Sequence, residues 1–98
     1  KYKTIDVTSL IVAVEDHAFQ IFLPEYIHFA DSENEPRKSK TLVYENGVLL
    51  GFPHATLHAI KTLGTGRFSH WGDSIFFSSS DNSSPIENLR IYEVRILV

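Results

Sequence analysis

Two apolar runs, Leu42-Val43-Tyr44-Glu45 and Val48-Leu49-Leu50, flank Asn46-Gly47. Asn-Gly is the preferred centre of a type I′ turn, because both central residues need positive φ. The segment predicts a tight hairpin, and so limits the chain to folds that accept an antiparallel pair. The neighbouring segments agree. Ile5 and Val7 alternate with Thr4, Asp6 and Thr8, and the pattern runs into Leu10-Ile11-Val12-Ala13-Val14. One long first strand is expected, half-buried at first and then covered on both faces. After a turn at Glu15-Asp16-His17, Phe19, Ile21 and Leu23 line one face of a second strand that Pro24 ends. Tyr26-Ile27-His28-Phe29 reads as a short third strand. Ile75-Phe76-Phe77 opens another that continues through Ser80. Tyr92, Val94, Ile96 and Val98 share a face of the last.

A single segment has helical character, from about Pro53 to Leu63. Pro53 suits the first helical position and Gly64 the end. On such a helix Leu57, Ile60, Leu63, Ala55 and Ala59 fall on one side, with His54, His58, Lys61 and Thr62 on the other. Strands that follow one another without helical crossovers predict a β-rich α+β fold. The expectation is a compact antiparallel sheet or sandwich of about six or seven strands with one amphipathic helix.

The chain of 98 residues fits one domain, with 43% hydrophobic and 21% charged residues. It starts at Lys1 and its ends read as strands, which predicts a domain cut from a longer chain. A net charge of −3 with nine scattered Lys and Arg argues against nucleic acid. No apolar run approaches the ~20 residues that span a bilayer. Without cysteine there are no disulfides or thiolate zinc sites, and the compartment stays open.

Between Asp31 and Lys40 there is no large apolar residue, and the charges run acidic and then basic, as in a solvated surface loop. The most unusual stretch begins at Gly64. Three glycines in nine residues predict a flexible loop through Arg67, Ser69, His70, Trp71 and Asp73. Trp71, the only tryptophan, is either a core anchor under the helix or an exposed platform. As a platform it stacks on the apolar C–H face of a sugar while Arg67, His70 and Asp73 bond the hydroxyls. Ser78 and Ser80, on one strand face beside Asp81 and Asn82, extend that polar set. Alone, these small polar residues are ordinary turn chemistry.

Catalytic signals are thin. Ser69-His70 with Asp73 names a hydrolase triad, but adjacency in sequence is not its geometry. No carboxylate pair is singled out among Asp73, Asp81 and Glu87, and Gly64-Thr65-Gly66 lacks the rest of a phosphate loop, so no cofactor is expected. His54 and His58 have the helical spacing of metal ligands, with His70 as a third, but the glutamate of the metalloprotease pattern is missing. The sequence therefore favours a non-catalytic recognition module. Its site comprises Arg67, His70, Trp71, Asp73, Ser78, Ser80, Asp81 and Asn82, its ligand a glycan or similar polar molecule, and an enzyme domain on the same chain a possible partner. One alternative is an assembly domain that pairs through sheet edges, with Trp71 buried and Arg67 and Asp73 tying the loop down. Another is a small metal-dependent or hydrolytic enzyme using His54, His58 and His70.

Overall fold

The computed structural model describes residues 1–98. Eight strands, β1 (Tyr2–Asp6), β2 (Ile11–Glu15), β3 (Ala18–Phe22), β4 (Leu42–Glu45), β5 (Val48–Leu49), β6 (Phe68–Trp71), β7 (Ser74–Phe77) and β8 (Tyr92–Leu97), accompany one short helix, α1 (Leu57–Thr62). They form two antiparallel sheets, ordered β1-β8-β4-β5 and β2-β3-β7-β6. The fold is the β-rich α+β architecture expected, with more strands than the pattern suggested.

Two strands are gained and one is lost: β6 forms where a loop was expected, Tyr26–Phe29 is not a strand, and the long first strand divides in two. Asp6 Oδ1 accepts from Thr8 N at 3.0 Å and Val7 O from Leu10 N at 2.8 Å, so the chain breaks into a 3-10 turn over Thr8–Leu10. Val7 is fully buried at the break. β1 then lies in one sheet and β2 in the other. The continuous apolar run was expected to be covered on both faces. Instead β2 is an edge strand whose Val12 and Val14 are 52% and 40% exposed.

The inner faces of the sheets meet in a single core. One contributes Val43, Tyr92, Val94 and Ile96, the other Phe19, Ile21, Phe68, Ile75 and Phe77. Phe77 and Tyr92 join them across the interface, with ring centroids 5.3 Å apart. Aromatic pairs at this distance add to simple area burial.

Local signals succeed where chemistry is local. Asn46 and Gly47 sit at φ 48° and 78°, as a type I′ turn requires, and Asn46 Oδ1 also accepts from Ile91 N at 2.8 Å. Tyr26–Phe29, expected as a strand, belongs to a 3-10 segment, Pro24–Phe29, that starts on the fixed φ of Pro24. The helix is shorter than expected. Residues 52–55 lie alongside β6, with Phe68 N donating to Phe52 O and Ala55 N to Phe68 O. That pairing removes the predicted first turn. Thr56 becomes the N-cap, its hydroxyl accepting from Ala59 N at 3.1 Å. Of the predicted apolar side only Ile60 is fully buried.

Candidate functional site

The stretch expected to be a loop, Arg67 to Asp73, is mostly strand: β6 occupies Phe68–Trp71, and only Gly72 and Asp73 form the turn into β7. Alternation along β6 then decides which side chains can meet. Register places His70 opposite Ile75 on the inner face, while Ser69 opposite Phe76 and Trp71 opposite Ser74 lie on the outer face. The named triad cannot form, because Ser69 and His70 face opposite ways.

On the outer side of β6 is a cleft of about 480 Å³. Ser69, Trp71 and Phe76 line it from the sheet. Thr56 and Leu57, at the start of α1, form one wall, and Asp31, Pro36 and His54 form the other. Trp71 is 47% exposed, which settles its placement: it is a surface wall rather than a core anchor.

The polar centre of the cleft is a pair that the sequence did not suggest. Asp31 runs parallel to Trp71, its N donating to His70 O at 2.7 Å and its O accepting from Gly72 N. Its carboxylate is buried. Oδ1 accepts from Ser39 N at 2.7 Å, and Oδ2 lies 2.5 Å from His54 Nδ1. In this pair a carboxylate oxygen accepts and His54 Nδ1 is the donor. In the neutral ring Nε2 is then an acceptor, and it has no partner within the protein. His54 holds this position at φ 57°, in the left-handed region that histidine tolerates better than most side chains. Ser69 and His54 thus offer a hydroxyl and a ring nitrogen beside one indole.

Beneath the cleft His70 is buried, with Nδ1 2.7 Å from Thr41 Oγ1 and Nε2 unpartnered. Burial pushes its pKa down to about 4, against a smaller opposing pull from the Asp31 charge. Thr41 N in turn donates to Ser39 Oγ. The loop from Asp31 to Lys40, expected to be wholly solvated, is therefore fastened at both ends by buried polar contacts.

The remaining residues of the expected site divide between two other places. Asp73 sits in the exposed β6–β7 turn and accepts from Ser74 Oγ. Arg67 is at the far end of β6, its guanidinium 4.8 Å from the Phe52 ring and bonded to Gly64 O and Thr65 Oγ1. Ser78 and Ser80 do not share a strand face, since β7 stops at Phe77. They belong to a hydrogen-bonded corner. Ser78 Oγ accepts from Gly66 N, Ser80 Oγ donates to Glu45 Oε1 at 2.5 Å, and Asn82 Oδ1 accepts from Thr65 N at 2.7 Å. Asn82 lies so close over Gly64, at φ 61°, that any Cβ there would collide with it. Asp81 grips Arg90 through two parallel bonds of 2.9 and 2.8 Å, which hold its pKa well below the usual carboxylate range. Arg90 also reaches Glu45 Oε2 at 3.4 Å.

The three histidines do not converge. His54 precedes the helix, His58 is exposed on it, and His70 lies inside; no group of three or more His, Asp or Glu side chains is placed to hold a metal. No helix is long and apolar enough to cross a membrane.

Compared with known proteins, the chain matches no family model, no curated protein and no solved structure.

Proposed function

We propose that the molecule is a recognition module whose cleft beside Trp71 binds a carbohydrate. The observation that carries this reading is the single tryptophan, half exposed, forming the wall of a cleft that also holds His54 and Ser69. Sugar recognition needs an apolar plate for the C–H face and a few fixed polar groups for the hydroxyls. Here Trp71 is the plate. The buried Asp31 fixes the ring and proton of His54, so Nε2 accepts from a ligand hydroxyl, and Ser69 adds a second bond. Arg67, Ser78, Ser80, Asp81 and Asn82 support the sheet ends instead of touching the ligand.

Intrinsic fluorescence tests this directly, since Trp71 is the only indole. The expected emission is red-shifted and quenched by iodide, and one class of sugar in a glycan panel shifts it and protects it from iodide. His54→Ala should weaken that binding by about tenfold, a loss equal to one good hydrogen bond. Emission that no sugar alters would remove the reading.

A further inference from the structure

The outer face of the β2-β3-β7-β6 sheet continues past the cleft. Trp71 on β6 lies opposite Ser74 on β7, and Ser74 lies opposite Phe22 on β3. All three share that face, since directly opposed residues in antiparallel strands point the same way. Phe22 is 58% exposed, a large apolar ring with nothing over it. Two strand spacings separate it from Trp71, or roughly 10 Å. Between them Gln20 is partly exposed and Ser74 is buried. Gln20 Nε2 donates to Ser74 Oγ at 2.8 Å, and Ser74 Oγ donates to Asp73 Oδ1 at 3.0 Å. Gln20 Oε1 and Asp73 Oδ2 remain unpartnered there.

We infer that this face is a second subsite and that the ligand is an extended β-linked pyranose chain, crossing the strands from the cleft over Trp71 to Phe22. The inference rests on the carbohydrate reading of the cleft. In such a chain successive rings turn over, so alternate rings present the same face, and the interval between them matches the Trp71–Phe22 separation. The intervening ring then hangs its hydroxyls over Gln20 and Asp73. A compact or α-linked sugar would meet one aromatic residue and miss the other.

The test is a fluorescence titration of the whole chain with cello- and chito-oligosaccharides, from the monosaccharide to the tetrasaccharide. Affinity is expected to rise about tenfold between the disaccharide and the trisaccharide, the shortest chain that reaches both aromatic residues. Phe22→Ala should abolish that rise and leave monosaccharide affinity unchanged, while Phe22→Tyr keeps it. Phe22 is mostly exposed, so the variant folds; unaltered circular dichroism confirms this. A flat length series in both ladders, or a rise that survives Phe22→Ala, overturns the second subsite while leaving the cleft reading intact. If no sugar of any class alters Trp71, both fall together. Sedimentation of the wild type as a dimer that Phe22→Ala dissociates would also overturn it, assigning the face to a second copy of the chain.

Discussion

His70 lies between the sheets with one ring nitrogen on Thr41 and the other unpartnered, and burial holds its pKa down to about 4 from an ordinary 6.5. The native ring is therefore neutral where the unfolded one takes a proton. Above pH ~6.5 both states are neutral and the stability is complete. As pH falls through 6.5 towards 4 the unfolded state is favoured, by up to ~3 kcal/mol at the lower limit. Urea unfolding followed from pH 8 to pH 4 should show this decline, and His70→Gln should flatten it. The carboxylates act lower. Burial raises Glu45, but bonds from Ser80 and Tyr92 and the nearby Arg90 outweigh it, so its stabilisation fails only as pH drops below the ordinary glutamate range. At this scale the sequence hid the most. Asp31 and His54 are 23 residues apart, and the one spacing that singled out His54 tied it to His58, so nothing local announces their pairing. Trp71 was conspicuous because it is unique, yet its exposure depended on which face of β6 it took.

Among the elements, α1 is the most dependent on a single side chain. It has six residues, too few to persist alone. Thr56→Ala removes its cap and should cost about 1 kcal/mol in urea unfolding. It should also weaken ligand binding, because Thr56 and Leu57 wall the cleft. Thr56→Ser should restore both. The Asn46-Gly47 hairpin was legible because its geometry is dictated by two adjacent residues. The helix start was misplaced because Pro53 carries a strong local preference, and a non-local one overrode it when residues 52–55 covered the edge of β6. The strand-to-turn character of Arg67–Asp73 was obscured in the same way, with glycines bracketing a strand rather than filling a loop. Ser78 and Ser80 were expected in the ligand site, but Ser78 Oγ accepts from Gly66 N and Ser80 Oγ donates to Glu45, 35 residues away.

For the molecule as a whole, the two sheets depend on one shared core, so loss at their junction is felt everywhere. Phe77→Ala empties the contact with Tyr92 and should destabilise by about 3–5 kcal/mol, measured as a lower urea midpoint with cooperativity preserved. The class of fold was readable because adjacent strand patterns without crossovers admit few layouts. Sheet membership was not, because β1 and β8 pair across nearly the full chain, and no pattern near Ile5 points to Val94. That same pairing has a mechanical consequence. Tyr2 faces Leu97 and Val98 N donates to Lys1 O, so both ends of the described chain leave the sheet side by side. Tension applied to the two ends would load the bonds of this ladder one after another, like a zipper, instead of shearing them together. The domain would open at low force from its first strand, while the cleft, on the opposite sheet, would be among the last parts to yield.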